Sequence, residues 1–241
     1  MNDRSRYTIL FVLCYSVIAS CTGQTAKELF ESGNAKAQTH DYKGSIADLD
    51  KVITLEPQWA KAYYNRANAK SALHEYEDAI KDYSAAIKYD TAYKEAYYNR
   101  GNTLVKMQRF DSAIADYTIA IGLDPMFSRG YFSRGTTYGD VKKYREALMD
   151  LDVAIMLDTS YPRAYLNRGT ILAKMHRFAD AKADLDHVLS TDTKNDRAYL
   201  IRAMAEAGLE ESEAACADFH QAKLRGNKEA GQYIKEYCDG K

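Results

Sequence analysis

This chain repeats itself every 34 residues, and no other feature restricts its fold as strongly. AYYNRANAK (62–70), AYYNRGNTL (96–104), GYFSRGTTY (130–138) and AYLNRGTIL (164–172) share that step. It continues back to ELFESGNAK from Glu28 and forward to AYLIRAMAE from Ala198. No insertion interrupts the series, which divides into 26–59, 60–93, 94–127, 128–161, 162–195 and a shorter 196–225. A fixed period of this size means one small unit stacked on its own copies, since such a unit cannot bury an apolar face alone.

Each unit reads as two helices. In the second, Tyr63, Ala67 and Lys70 fall on one helical face, and Tyr76, Ala79, Ile80, Tyr83 and Ala86 make a broad apolar stripe. Leu73-His74-Glu75 forms the turn between them. LEP (55–57), YDT (89–91), LDP (123–125), LDT (157–159) and TDT (191–193) close the second helices. There Pro57 and Pro125 stop a helix, while the Thr and Asp residues offer cap oxygens. Gly33, Ala67, Gly101, Gly135, Gly169 and Ala203 share a position on the first helices, and Ser45, Ala79, Ala113, Ala147, Ala181 and Ala215 share one on the second. Small residues at both places allow close helix approach. Tyr42, Tyr76, Phe110, Tyr144 and Phe178 precede the second set by three residues, and Ser212 breaks the series as expected of a terminal unit.

These residues resemble the tetratricopeptide repeat family over nearly all of 26 to 225. The resemblance implies an all-α, right-handed superhelical solenoid of six helix-turn-helix repeats. Residues 226–241 read as a capping helix, with Ala230, Ile234 and Cys238 spaced by four over the last repeat's apolar face. The family implies a scaffold that holds a protein or extended peptide on its concave side; a structural or assembly component of an envelope complex is the alternative.

Two polar series recur in phase. Asp48, Asp82, Asp116, Asp150, Asp184 and Asp218 occupy one place on the second helices; Arg66, Arg100, Arg134, Arg168 and Arg202 occupy one on the last five first helices. They suggest a structural ladder of ion pairs, either within repeats or between neighbours. On the first helices, which line the concave surface in the resembled family, Asn34, Asn68 and Asn102 share one position, and Asn65, Asn99 and Asn167 another. Asn34 with Asn65, and Asn68 with Asn99, match the two Asn positions of the family's carboxylate clamp. Lys27, Lys61, Arg129, Arg163 and Arg197 match one clamp lysine, whereas Phe30, Tyr64 and Tyr98 stand where another would be, followed in phase by Phe132. An Asn-lined aromatic groove for an extended peptide is therefore one expectation, since amides satisfy both N–H and C=O groups. Internal support between repeats is the other.

The N-terminus departs from the repeat. Arg4 and Arg6 precede an uncharged run from Tyr7 to Ala19, the layout of a secretory signal and short of the about 20 residues a spanning helix needs. Ile18, Ala19, Ser20 and Cys21 resemble a bacterial lipobox. Residues 1–21 are thus expected to be a signal region, Cys21 the lipidated first mature residue, and 22–25 a tether. The location implied is the bacterial cell envelope, anchored by lipid, or the periplasm or exterior if Cys21 is cleaved off unlipidated. With Cys14 removed and Cys21 acylated, Cys216 and Cys238 remain as a pair for a disulfide where one can persist. A softer likeness to exported repeat proteins of Bacteroidetes-like bacteria supports that bond.

Lys plus Arg total 33 against 34 Asp plus Glu, which gives no bulk electrostatic reason to expect a nucleic acid partner. His40, His74 and His176 share a turn position in separate repeats, and neither they nor His187 and His220 have metal-ligand spacing. No GxSxG or phosphate-binding loop is present. The expectation is a non-enzyme without a cofactor.

Overall fold

The computed structural model describes residues 24–238, and every helix or strand assigned in that range is an α-helix. The expected signal region 1–21, with Cys21 and the first residues of the tether, lies outside the described residues. Six helix pairs follow one another: α1 (Ala26–Gln38) and α2 (Tyr42–Leu55), α3 (Ala60–Ala72) and α4 (Tyr76–Tyr89), α5 (Lys94–Lys106) and α6 (Phe110–Leu123). They continue as α7 (Ser128–Asp140) and α8 (Tyr144–Leu157), α9 (Pro162–Lys174) and α10 (Phe178–Thr191), α11 (Asp196–Gly208) and α12 (Ser212–Leu224). A thirteenth helix, α13 (Ala230–Tyr237), closes the chain.

The helices fall into two compact units, one ending at Asp90 and the other beginning at Thr91. In the first, each helix packs on the next, and α1 also touches α3. In the second, the same pattern runs from α5 to α13, and α7 and α9 each touch the first helices on both sides. First helices thus lie side by side within a unit and share a face.

Small residues bring each pair together. A Cβ added at Gly135 would stand 3.0 Å from the Asp150 Cβ and 3.1 Å from the Ala147 carbonyl oxygen, so a larger side chain here would force the two helices apart. Ala67 and Ala203 fill the equivalent place elsewhere and are fully buried, as are Ala79, Ala113, Ala147 and Ala181 opposite. One large residue per second helix fills the remaining space: Leu49, Tyr83, Tyr117, Leu151, Leu185 and Phe219, each at most 2% exposed. Replacing such a core side chain by Ala costs about 2–5 kcal/mol.

Every pair is joined by the same left-handed turn. His40, His74, Gln108, Lys142, His176 and Glu210 all have φ between 58° and 65°. Around His40 the Asp41 N–H donates to the Lys36 carbonyl at 2.9 Å and the His40 N–H to that of Ala37 at 3.1 Å, and the other five turns repeat both bonds. This closes the orphan carbonyls at the helix end with a conformation that usually calls for glycine. Only the turn after α12 uses one, Gly226, at φ 95°.

The junctions between pairs differ from the expected capping. Asp124, Asp158 and Asp192 accept hydrogen bonds from the N–H two residues on, at 3.0 to 3.1 Å, which shapes the turn and leaves the next helix uncapped by them. Trp59, Tyr93, Phe127 and Tyr161 occupy the N-cap positions without a side-chain cap bond. Thr25, which forms a capping box with Glu28, and Asn195 are the first-helix N-caps that do accept one.

At the end of the chain α13 lays Ala230 and Ile234 against the Leu200, Ala203 and Phe219 cluster. Tyr233 stacks on Phe219 with ring centroids 5.4 Å apart. A disulfide joins Cys216 of α12 to Cys238, with the Cα atoms 5.7 Å apart.

Candidate functional site

The five arginines of the ladder pair within their own repeats. Arg66, Arg100, Arg134, Arg168 and Arg202 donate from Nε and Nη2 to both oxygens of Asp82, Asp116, Asp150, Asp184 and Asp218, at 2.5 to 3.0 Å. The link to the preceding repeat uses Nη1 and another partner. Arg66 reaches Asp50, Arg134 reaches Thr118, Arg168 reaches Asp152 and Arg202 reaches Asp186, at 2.6 to 2.9 Å. The first repeat has Ser32 in place of arginine; Ser32 Oγ and Lys36 Nζ donate to Asp48 at 2.7 and 2.6 Å. Burial pushes the Asp48 carboxyl up, but bonds from Lys36 and Ser32 and the nearby lysine charges outweigh it and hold the group below its usual range.

The amides expected in a groove are partly engaged inside the protein. Asn65 Nδ2 donates to Asn34 Oδ1 at 2.6 Å, and Asn167 Nδ2 to Thr136 Oγ1 at 3.0 Å, both between adjacent first helices. Tyr83 and Tyr117 donate their buried hydroxyls to Asn68 and Asn102 at 2.7 and 2.8 Å. Asn99 is half-buried on α5. These contacts give the amides a supporting role, whatever else they touch.

The aromatic series is also partly covered. Phe30 stacks on Trp59 at 4.6 Å, Tyr98 meets Phe127 edge-on at 5.0 Å, and Phe132 meets Tyr161 at 4.7 Å. Tyr64 packs against Tyr83 at 6.0 Å. The aromatic N-caps Trp59, Phe127 and Tyr161 therefore roof the first-helix rings. Sequence reasoning passed over them, although their step of 34 residues was a usable signal.

Three features remain open to a partner. In the first unit a groove of about 590 Å³ is lined by Lys27, Phe30, Asn34, Trp59 and Lys61 among others. In the second unit α7, α9 and α11 bound a groove of about 300 Å³ lined by Asp140, Arg163, Asn167, Lys174 and Arg197. Arg163 lies over the Phe132 ring at 5.2 Å. Burial raises the Asp140 carboxyl above its usual range, with the Lys174 and Arg197 charges acting against it. An apolar pocket of about 350 Å³ adjoins this groove, and Thr170 and Lys174 line both.

Residues 72–108 match a family model described as TPR repeat, and residues 95–127 one described as tetratricopeptide repeat. The fold is the tetratricopeptide-repeat solenoid. Among solved tetratricopeptide structures, YrrB, described as a TPR protein with an unusual peptide-binding site, is 23% identical with a TM-score of 0.69, over 78% of this chain and 97% of its own. PilF of Pseudomonas aeruginosa is 20% identical with a TM-score of 0.75, over 88% and 97%. A tetratricopeptide repeat protein of Parabacteroides merdae is 17% identical with a TM-score of 0.66, over 90% and 98%. No curated protein matches the chain.

Among the described residues no group of three or more His, Cys, Asp or Glu could hold a metal ion. No described helix is long and apolar enough to cross a membrane. What each unit offers is a face of side-by-side first helices.

Proposed function

We propose that the chain is a protein-binding scaffold of the cell envelope, holding a protein or extended peptide against its first-helix face. One observation carries this reading: the cations fall into two classes. The ladder arginines are consumed by bidentate pairing. Arg163, Lys174 and Arg197 share a groove in which no ion pair within 4 Å engages them among the described residues. Like charges held together repel, and Asp140 offsets only one of the three, so a counter-charge on a partner explains why they gather here. YrrB, with its peptide-binding site, supports the reading by fold.

The envelope assignment rests on the lipobox-like Ile18 to Cys21 and on the Cys216–Cys238 bond, which persists in an oxidising compartment. Intact-mass measurement on the mature chain tests it. A diacyl or triacyl mass on an N-terminal Cys21 is expected, and an unlipidated start at Thr22 or Gln24 removes the anchor from the proposal. Co-purification from detergent-solubilised membranes tests the scaffold. A client released by salt, and lost in Arg163→Ala/Arg197→Ala, is expected. A stable stoichiometric complex indifferent to both would make the chain a structural component instead.

A further inference from the structure

We infer that the last three repeats and α13 form a two-part site for an acidic segment of a partner protein that carries a large apolar side chain beside its carboxylates. The inference rests on the scaffold reading and goes beyond it by naming what the partner presents.

The sequence changes character at the place where the structure opens a pocket. One first-helix position is Asn34, Asn68, Asn102, Thr136 and Thr170 in successive repeats, then Met204. A second is Asn65, Asn99, Ser133 and Asn167 in repeats two to five, then Ile201. Both polar series turn apolar together in the sixth repeat, although Met204 stays 37% exposed. Ile201 packs in part on the Leu185, Val188 and Leu189 cluster, but core packing gives no reason for an apolar side chain at the exposed Met204. The two side chains instead line the pocket of about 350 Å³, with Ala173, Phe178, Tyr233 and Tyr237 around them. That volume lies at the lower end of small-ligand pockets, about 300–1,000 Å³. Aromatic rims with a sulfur-bearing wall suit an aromatic or branched aliphatic side chain.

The neighbouring groove supplies the charge. Arg163, Lys174 and Arg197 face a single internal anion, Asp140, which leaves two positive charges in excess. A chain terminus brings one carboxylate, whereas an acidic segment brings two or more, so charge complementarity favours the segment. Thr170 and Lys174 border both halves, which places the apolar anchor and the carboxylates within a few residues of each other on the partner.

The test uses the full chain with a soluble library of C-terminally amidated peptides of mixed composition. Peptides that pair Asp or Glu with a neighbouring Leu, Phe or Trp are expected to be enriched. For the strongest of them, Arg197→Ala and Met204→Glu should each weaken binding by roughly tenfold or more, and added salt should weaken it further. Both side chains are exposed, and unchanged circular dichroism and melting establish that the variants are folded. Enrichment of peptides lacking either element, or affinities unmoved by both substitutions, would overturn this inference and leave the scaffold reading standing. Binding of no peptide of any composition would overturn both.

Discussion

Arg134 meets Asp150 as a fork, its Nε donating to Oδ2 at 2.7 Å and its Nη2 to Oδ1 at 2.8 Å. The pair spans the two helices of one repeat, and Nη1 continues to Thr118 of the repeat before, at 2.9 Å. One guanidinium therefore closes a repeat and ties it to its neighbour. Tyr131 lies alongside, with the guanidinium carbon 5.8 Å from its ring centre. Arginine can fill this role because its planar donors match a carboxylate and its face lies against an aromatic ring; a lysine ammonium would do neither as well.

Removing one partner should cost more than the pair itself contributes. Arg134→Ala leaves Asp150, 6% exposed, without its two strongest donors. The expected loss is about 3–5 kcal/mol, because a buried charge is stranded. Arg134→Met with Asp150→Leu should recover most of it, since two apolar side chains need no partner. Urea denaturation followed by circular dichroism measures both, and a single variant as stable as the parent would show that the pair is not buried in solution.

The first repeat predicts the acid limb. Asp48 titrates below its ordinary 3.8 because Lys36 and Ser32 bond to its charged form. A depressed folded value means stability that is fully present above 3.8 and lost as pH falls through the folded value. Melting temperatures of the parent and Asp48→Asn should differ by a constant amount near neutral pH and converge only below that point. A gap that instead closes between pH 8 and 6 would assign the effect to another group.

Glu206 has the opposite sign. It takes the place of Lys36 and Lys70, which pair with Asp48 and Asp82, and it therefore puts a carboxylate beside Asp218. Its Oε2 is buried without a hydrogen-bond partner, and Oε1 lies 3.4 Å from Lys182 Nζ. Burial first, then the Asp218 charge, raises its pKa above the ordinary 4.5. The fold thus prefers the neutral form, and stability declines as pH rises from 4.5 through the folded value. Glu206→Gln should raise stability at pH 7 by about 1 kcal/mol, the low end of the cost of a buried unsatisfied group, with the gain vanishing in acid. A destabilised Gln variant at neutral pH would mean that the Lys182 contact outweighs the repulsion.

The helix pairs were legible because packing residues must recur: Gly101 and Tyr117 each need their counterpart at the same height in every repeat. The Arg–Asp ladder was legible as a series, but not its wiring, since periodicity alone does not distinguish Asp82 from Asp48 as a partner of Arg66, and Asp50 was not in the series. The turns were legible at Leu73-His74-Glu75 and its counterparts, but not their left-handed backbone, because His74, Gln108, Lys142 and Glu210 share a conformation and no side-chain chemistry. Nor did periodicity divide the amides between support and display. Asn102 looks like a recognition amide in sequence, yet its oxygen accepts the hydroxyl of a tyrosine that lies 15 residues further along the chain.

The disulfide should stabilise one end of the chain rather than the whole. Cys216 and Cys238 are 22 residues apart, and closing a loop of that length contributes about 3 kcal/mol in the chain-entropy picture. Helix α13 has eight residues, too few to persist alone, so its order depends on this bond and on Ala230, Ile234 and Tyr233 packed over the Phe219 cluster. Stacked repeats interact mainly with their neighbours, so loosening the last element need not open distant ones. Reduction should therefore strip hydrogen-exchange protection from the amides of Ile234 to Tyr237 while those around Leu151 keep theirs. Tyr233 and Tyr237 also wall the apolar pocket, and its affinity for an apolar-acidic peptide should fall with the same reductant. Free-thiol labelling of the unfolded, unreduced protein fixes the starting state. Protection unchanged after complete reduction would mean that packing alone holds α13 in place and that the bond adds nothing to the pocket.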